Sequence, residues 1–332
     1  MQSAVNLDPE RNLALDLVRA TEAAAIAAVR HLGRGDKNLV DGAAVDAMRP
    51  ILGGVSMRGT VVIGEGEKDD APMLFNGEQV GNGTGPEVDI AVDPVDGTTL
   101  TAKAMPNALA VVALAERGSM LDPGPVFYME KLAVSGDFAD AVDFEAPIER
   151  NLKWIAKAKG VAVEDLAVCI LDRPRHADLV DRIRKAGSRI KFILDGDVAG
   201  AILAADPDHD VDLLVGVGGT PEGVIAACAL KCMGGAIFGR LKPDDDDMRQ
   251  RAVDAGYDVD KVLTIDDLVA GDNVFFAATG VTDGELLKGV QYRKGEVWTQ
   301  SLSMRSRSRA RRLVDTRHNL ERSNLIVRPS GN

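Results

Sequence analysis

The run VDIAVDPVDGT, residues Val88–Thr98, decides the fold of this chain and places its chemistry. Its first five residues have the apolar, β-branched composition of a buried strand, and the rest opens into a turn. Pro94 fixes φ as the chain leaves the strand, and Gly97 lets the backbone approach a ligand closely. Asp93 and Asp96 are three residues apart, so one turn can direct both carboxylates at one ligand. Asp-Pro and Asp-Gly are also common turn pairs, so a purely structural turn is the alternative interpretation.

The rhythm of predicted elements changes along the chain. In the first half, strands follow one another and predict a mostly antiparallel or mixed sheet; they are expected at 60–63, 88–92, 108–116 and 127–134. The second half has the βαβ rhythm of a doubly wound sheet, with strands at 166–171, 190–194, 211–217 and 236–241 and helices at 176–186, 197–205 and 221–233. Late strands are predicted at 273–278 and 296–302.

The change of rhythm near 145–160 predicts two layered α/β units. The first is an N-terminal subdomain, residues 1–155, that carries the metal-site loops. The second is a C-terminal subdomain, residues 156–332, that carries the loops for sugar and phosphate. The run Asp8-Pro9-Glu10 predicts the start of the first helix, because proline and acidic residues favour the first turn.

Composition excludes several classes of function. The 332 residues carry 51 Asp and Glu against 39 Lys and Arg, a formal charge of -12, and only 4% are aromatic. Such a surface repels nucleic-acid backbones and offers few rings to stack on bases. The N-terminus lacks the pattern of a signal peptide, and no apolar run approaches membrane-spanning length. The three cysteines predict a reduced, cytoplasmic protein.

Acidic residues recur where predicted strands end. Glu65 and Glu67 follow one strand within Gly64-Glu65-Gly66-Glu67, much as Asp93 and Asp96 follow another. In open α/β sheets the carboxyl ends of strands form the ligand crevice. Carboxylates that share a crevice repel one another unless cations neutralise them, and Mg²⁺ and Mn²⁺ prefer oxygen ligands. A solvated loop is the alternative interpretation of the Gly-Glu repeat.

Four further acids have both a functional and a structural interpretation. Asp41 fits a metal ligand or an ordinary helix cap. Glu222, after Gly218-Gly219-Thr220-Pro221, fits a metal ligand or a carboxylate that stabilises the start of a helix. Asp195 and Asp197 follow another strand and either accept hydrogen bonds from sugar hydroxyls or cap the helix.

Basic residues are candidates for a second anion site. Arg173 and Arg175 follow the strand at 166–171, and arginine suits bidentate recognition of phosphate. A solvated charge pair is the alternative. Seven arginines lie between Arg305 and Arg322 of this otherwise acidic chain. They predict either a subunit interface or a solvated face.

Taken together, the motifs resemble class II fructose-1,6-bisphosphatase, the bacterial GlpX type, from about residue 10 to 328. The Asp-Pro-x-Asp-Gly-Thr element is shared with the wider lithium-sensitive sugar and inositol phosphatases. The Gly-Glu-Gly-Glu, Pro-Arg-His and Gly-Gly-x-Pro-Glu-Gly elements are specific to the class. The motifs that carry the resemblance are Lys37-Asn-Leu-Val-Asp41-Gly, Gly64-Glu-Gly-Glu67, Asp93-Pro-Val-Asp-Gly-Thr98, Tyr128-Met-Glu-Lys131, Arg173-Pro-Arg-His176, Asp195-Gly-Asp197 and Gly218-Gly-Thr-Pro-Glu-Gly223.

The resemblance implies a sugar-phosphatase fold, an αβαβα layered sandwich of the α/β class, with two divalent ions, Mg²⁺ or Mn²⁺. Asp41 and Glu65 match the ligands of one ion, and Asp93, Asp96 and Glu222 match those of the other. Some members carry Glu at the position of Asp96, so the metal spacing or preference can differ here. Thr98 matches the catalytic threonine, which Glu65 or Asp41 would polarise.

The resemblance further implies the reaction and its partners. The enzyme would release the 1-phosphate of D-fructose 1,6-bisphosphate, a step of gluconeogenesis, and would assemble as a homotetramer. Hydrolysis of sedoheptulose 1,7-bisphosphate as well, an inositol or sugar monophosphatase, and a regulator without activity are the alternatives. Asp96, Gly97 and Thr98 match the segment that holds the reacting phosphate; the matching sugar and distal-phosphate contacts are Tyr128, Arg173, Pro174, Arg175, Asp195, Gly196, Asp197 and Gly219.

Overall fold

The computed structural model describes residues 12–65 and 74–323. Its helices are α1 (Ala14–Ala28), α2 (Lys37–Gly54), α3 (Thr98–Ala102), α4 (Ile148–Lys159), α5 (Ala177–Lys185), α6 (Asp197–Ala205), α7 (Thr220–Met233), α8 (Asp246–Asp254) and α9 (Ile265–Leu268). Its strands are β1 (Arg58–Ile63), β2 (Gln79–Val80), β3 (Glu87–Asp96), β4 (Leu109–Glu116), β5 (Tyr128–Val134), β6 (Ala167–Leu171), β7 (Arg189–Ile193), β8 (Leu213–Gly219), β9 (Ala236–Lys242), β10 (Phe275–Gly280), β11 (Gln291–Arg293), β12 (Glu296–Arg305) and β13 (Ala310–Asn319).

The strands form two mixed sheets in the described part of the chain. The larger sheet has the order β11-β12-β10-β4-β3-β1-β2, and β13 also pairs with β12. The smaller sheet has the order β7-β6-β8-β5-β9. In it β6 runs parallel to β7 and β8, whereas β5 is antiparallel to both of its neighbours. Strands β6 to β9 therefore all run in one direction, as the βαβ rhythm predicts, whereas the later strands β10 to β13 pair antiparallel. Strands β1 to β4 pair in both directions, which agrees with the mixed sheet predicted for the first half.

Helices cover both faces of each sheet, which gives five layers. Helices α1 and α2 pack on the outer face of the larger sheet. Helices α6 and α7 lie between the two sheets, and α4 and α5 cover the outer face of the smaller one. All nine residues of α6 are buried, as its almost wholly apolar sequence requires. The predicted αβαβα sandwich of the α/β class is therefore confirmed.

The order of the layers brings distant parts of the chain together. Strands β10 to β13 join β1 to β4 in the larger sheet, and β5 belongs to the smaller sheet. Each sheet thus takes strands from both sides of residue 155, and the division into residues 1–155 and 156–332 stays a prediction. The predicted helix start at Asp8–Glu10 lies outside the described residues. Among the residues that are described, none of the helices has the length and apolarity needed to cross a membrane.

Candidate active site

Thr98 lies at the crevice formed where strands of both sheets end. Strand β3 ends at Asp96, and Gly97 then adopts the left-handed conformation, with φ 94°, that starts α3. This turn directs the Thr98 hydroxyl at Asp41 of α2. Thr98 Oγ1 lies 2.7 Å from Asp41 Oδ1 and 3.0 Å from the carbonyl oxygen of Val95. The hydroxyl can donate to the carboxylate, so of the two predicted partners the structure pairs Thr98 with Asp41.

The five carboxylates predicted as metal ligands lie close enough to perturb one another. Burial, together with the smaller effects of the Asp41 and Glu222 charges, raises the pKa of Glu65 to about 7. Burial also raises the pKa of Asp93 well above its ordinary value, with added repulsion from Asp96, Glu65, Glu222 and Asp41. Asp93 is therefore close to all four of the other carboxylates, although the five side chains come from four separate segments of the chain.

The remaining three members show the same effect. Burial is the largest cause of a raised pKa at Asp41, Asp96 and Glu222. At Asp41 the hydrogen bond from Thr98 and the charge of Lys37 act in the opposite direction. Buried carboxyls that repel one another are destabilising as anions, because water no longer solvates them. Such a cluster favours protons or cations.

The donor atoms fit divalent cations. Asp96 Oδ2 and Glu222 Oε2 are buried and have no hydrogen-bond partner. All five side chains offer carboxylate oxygens, which Mg²⁺ and Mn²⁺ prefer. Across residues 12–65 and 74–323, no three Asp, Glu, His or Cys side chains already stand in a metal-holding arrangement. Cation binding would therefore require these side chains to rotate toward a common ion. Gly66 and Glu67, also predicted for the acidic loop, lie outside the described residues.

Two glycines leave space for these carboxylates. Gly196 has φ 68°, and a Cβ there would lie 3.0 Å from Asp96 Oδ1. A Cβ on Gly219 would overlap the Glu222 carboxylate, which folds back over the start of its own helix. The glycines in Asp195-Gly196-Asp197 and Gly218-Gly219 are thus explained by the approach of acidic side chains.

Asp195 connects the catalytic turn to the predicted sugar-binding loops. Its Oδ2 accepts a hydrogen bond from the backbone N–H of Thr99 at 3.2 Å, and its Oδ1 accepts one from Arg173 at 3.3 Å. Arg173 also donates to the carbonyl oxygen of Leu194 at 2.6 Å. The structure therefore places Arg173 and Asp195 beside Thr98.

Arg175 and Tyr128 form the other side of the crevice. The Arg175 guanidinium lies over the Tyr128 ring, 5.0 Å from its centroid, and donates to the Val217 carbonyl at 2.7 Å. Tyr128 is paired across the sheet with Gly219, three residues before Glu222. The arrangement presents a planar cation next to the end of β8, where an anionic group can reach it.

His176 fixes this loop and takes no part in the acidic cluster. It is 2% exposed, its Nδ1 lies 2.7 Å from the Leu171 carbonyl, and its Nε2 accepts from Val217 N–H at 2.8 Å. Both contacts are satisfied by a neutral ring with the proton on Nδ1. Burial accordingly lowers the pKa of His176. Pro174 begins the short 3₁₀ turn Pro174–His176 that leads from Arg173 to α5.

Lys131 is the residue of this site that sequence reasoning missed. Its side chain is 2% exposed, and its ammonium group donates to Asp197 Oδ2 at 2.7 Å. Its charge lowers the pKa values of Asp96 and Glu222, against the larger effect of burial. Lys131 belongs to the motif Tyr128-Met129-Glu130-Lys131, which carries part of the family resemblance. A lysine in a strand nevertheless predicts a solvent-facing side chain, because its partner 66 residues away cannot be identified from the sequence.

Comparison with known protein families agrees with this geometry. The sequence pattern of the family described as "Bacterial fructose-1,6-bisphosphatase, glpX-encoded" matches residues 11–318. The chain belongs to this family. A relative named fructose-1,6-bisphosphatase 1 class 2, from Escherichia coli K12, is 44% identical over 326 residues, 94% of this chain and 96% of the relative. Class 2 enzymes of Escherichia coli O6:H1 and Shigella flexneri show the same identity and coverage.

The range matched by the family pattern includes the acidic and the basic side of the crevice. The matched range includes every described residue predicted for the site, from Asp41 to Glu222. The glpX-encoded fructose-1,6-bisphosphatases are metal-dependent phosphatases, which agrees with the carboxylate oxygens found here. The predicted family is confirmed, while the role of each individual side chain stays a prediction.

Proposed function

We propose that this chain hydrolyses the 1-phosphate of D-fructose 1,6-bisphosphate to give fructose 6-phosphate and phosphate. The names of its relatives and its family support the reaction. The observation that carries the proposal is the Thr98 to Asp41 hydrogen bond at the edge of a buried carboxylate cluster. A hydroxyl group held by a carboxylate is suited to orienting a water molecule for attack on phosphorus.

Thr98 would orient the attacking water, and Asp41 would polarise the Thr98 hydroxyl. A threonine hydroxyl is a weak base alone, so the 2.7 Å contact with Asp41 is the essential feature. Glu65 would assist from beside Asp41, whose charge raises the pKa of Glu65. The segment Asp96-Gly97-Thr98 would hold the reacting phosphate, with Gly97 allowing its close approach to the backbone.

Two divalent cations, Mg²⁺ or Mn²⁺, would be held by Asp41 with Glu65, and by Asp93 with Asp96 and Glu222. Ions bound there neutralise phosphate charge and make water a stronger nucleophile. The unpartnered Asp96 Oδ2 and Glu222 Oε2 support this assignment. The partial loss of water around all five carboxylates supports it as well, because their anions repel one another when no cation is bound.

The far end of the substrate would contact the basic side of the crevice. Arg173 and Arg175 would bind the distal phosphate through their planar guanidinium groups, next to Pro174 and Tyr128. Sugar hydroxyls would donate hydrogen bonds to Asp195 and Asp197, in the turn that contains Gly196, and Gly219 would line the space beside them. A monophosphate would leave the arginine pair unused.

A homotetramer and a cytoplasmic location complete the proposal. The arginine-rich strand β13 has one edge paired with β12, and no other strand of residues 12–65 and 74–323 pairs with its second edge, where a second subunit could bind. Cys169, Cys228 and Cys232 are all free and buried, as expected in a reducing compartment.

Phosphate release from a panel of compounds tests the function. The purified protein, with Mg²⁺ or Mn²⁺, should act on fructose 1,6-bisphosphate at least tenfold faster than on inositol monophosphate. Sedoheptulose 1,7-bisphosphate is included to define the substrate range. Equal or greater activity on inositol monophosphate, or no release from any bisphosphate, would contradict the proposal.

A further inference from the structure

Lys131 occupies a buried slot lined by glycines, behind the crevice. Its cross-strand neighbours on β8 and β9 are Gly216 and Gly239, which have no side chains. A Cβ on Gly218 would come within 3.0 Å of the lysine Nζ, and a Cβ on Gly223 within 3.3 Å of Cε. The slot fits an alkyl chain with a single ammonium group and is too narrow for a guanidinium without displacement of its walls.

The Lys131 side chain is 2% exposed, and its ammonium group binds a carboxylate of the protein. That carboxylate belongs to Asp197, the first residue of α6, whose Oδ2 accepts the hydrogen bond at 2.7 Å. The other oxygen, Asp197 Oδ1, is buried and has no hydrogen-bond partner. A buried, unpartnered carboxylate oxygen is costly unless a ligand donor satisfies it.

We propose that Lys131 is a positioning residue, whose ammonium holds Asp197 Oδ2 so that Asp197 Oδ1 stays available to a substrate hydroxyl. This inference rests on the proposed function, because it requires a sugar ligand. Three observations support it: the ammonium group is buried, it binds one oxygen of Asp197, and the second oxygen has no hydrogen-bond partner. The contact spans 66 residues and joins β5 to α6, so it locks the turn Asp195-Gly196-Asp197 to the smaller sheet.

The pair also differs from an ordinary structural ion pair elsewhere in the chain. Lys159 donates to Asp212 Oδ1 at 2.6 Å, but there Asp212 Oδ2 accepts a hydrogen bond from the Ala167 N–H at 2.9 Å. Both oxygens of Asp212 are therefore used by the protein. At Asp197 the protein uses one oxygen, which is the arrangement expected when the other serves a ligand. Lys159 is thus the matched control for Lys131.

The test uses Lys131→Ala and Lys159→Ala in the full-length protein, with fructose 1,6-bisphosphate. Lys131→Ala should lower kcat/KM at least 100-fold, whereas Lys159→Ala should stay within threefold of the wild type. Ethylammonium or propylammonium chloride, added to Lys131→Ala, should restore activity at least tenfold in a saturable manner. Propanol and sodium chloride at the same concentrations should restore none, because they cannot donate as a cation to Asp197.

A second variant separates positioning from loss of folding. Lys131→Met with Asp197→Asn removes both charges of the buried pair, so its melting temperature should return to within a few degrees of the wild type. Its KM should equal that of Asp197→Asn alone, because the Lys131 ammonium has no carboxylate to position once Asp197 is replaced. A further rise in KM of tenfold or more when Lys131→Met is added to Asp197→Asn would overturn the inference, because Lys131 would then act independently of Asp197.

The two proposals fail in different ways. A wild-type protein that releases no phosphate from the bisphosphate would overturn the proposed function. An active wild type with an equally active Lys131→Ala would overturn the role of Lys131 alone. A loss in Lys131→Ala that neutral propanol restores as well as propylammonium would also overturn it, because cavity filling would then be sufficient.

Discussion

Without divalent cations, the wild-type protein should gain stability between pH 8 and pH 5.5 relative to Glu65→Gln. The carboxyls at 41, 65, 93, 96 and 222 all have raised pKa values in the folded state. The folded protein therefore holds more protons than the unfolded chain between the two sets of pKa values. Stability contributed by these protons is present at low pH and is lost as pH rises through the folded pKa.

The pKa of Glu65 determines the size of the expected change in stability. Its pKa rises from 4.5 to about 7 on folding. Each pKa unit corresponds to about 1.4 kcal/mol, so the full effect is about 3 kcal/mol, of which about 2 kcal/mol appears between pH 8 and pH 5.5. Glutamine cannot titrate, so the free energy of unfolding of wild type minus Glu65→Gln should increase by about 2 kcal/mol over this range.

Contributions from other titrating groups cancel when the wild type is compared with Glu65→Gln. His176 acts in the opposite direction, because its pKa is lowered in the folded state and the unfolded chain takes up its proton first. That contribution is present in both proteins and cancels. Glu149→Gln is the matched control. Hydrogen bonding to Arg182 lowers the Glu149 pKa to about 2, so the contribution of Glu149 to stability changes with pH only below about pH 5.

Urea unfolding in chelator, at half-unit pH steps, provides the assay. The difference in free energy of unfolding between wild type and Glu149→Gln should stay constant from pH 8 to pH 5.5. The difference between wild type and Glu65→Gln should increase as the pH falls. Saturating Mg²⁺ or Mn²⁺ should reduce the divergence, because cations then replace the protons. Parallel curves for wild type and Glu65→Gln in chelator would refute the claim that burial and neighbouring carboxylates hold the Glu65 proton.

Three further predictions concern activity. Thr98→Ala should lower kcat at least 100-fold with little change in melting temperature, since the hydroxyl orients water through Asp41; Thr98→Ser should retain most activity, and an active alanine variant would remove Thr98 from the reaction. Excess chelator should abolish phosphate release, and Mg²⁺ or Mn²⁺ should restore it; release that persists after chelation and desalting would contradict a metal-dependent reaction. Arg175→Lys should lower kcat/KM for fructose 1,6-bisphosphate about 10-fold or more while leaving fructose 1-phosphate unaffected, because lysine lacks the planar fork; equal losses on both substrates would place Arg175 away from the distal phosphate.

The local parts of the fold and site could be predicted from sequence. The apolar run before Asp93 predicts a strand, which the structure has. The strand continues through Pro94 to Asp96, with a shift of register after Asp93, so the predicted turn begins only at Gly97. Helix α6 matches its predicted bounds, 197–205, because a run of apolar residues between an acid and Asp206 defines both ends. These features depend on neighbours along the chain, which a sequence displays directly.

Features that depend on distant partners could not be predicted. Lys131 is buried because Asp197, 66 residues away, receives its ammonium group. Strand β13 was not predicted, because its arginines lack the apolar alternation of a half-buried strand; a ladder of hydrogen bonds to β12 defines it instead. For Thr98, the sequence left both Glu65 and Asp41 as partners, and only the packing of α2 against α3 decides between them.

The central claim is that five carboxylates bind two neighbouring metal ions. Anomalous X-ray scattering from crystals grown with Mn²⁺ and a non-hydrolysable bisphosphate tests this claim most directly. Two peaks are expected, one within ligand distance of the carboxylates at 41 and 65 and the other of those at 93, 96 and 222. Peaks at other side chains, or none at saturating Mn²⁺, would contradict that assignment.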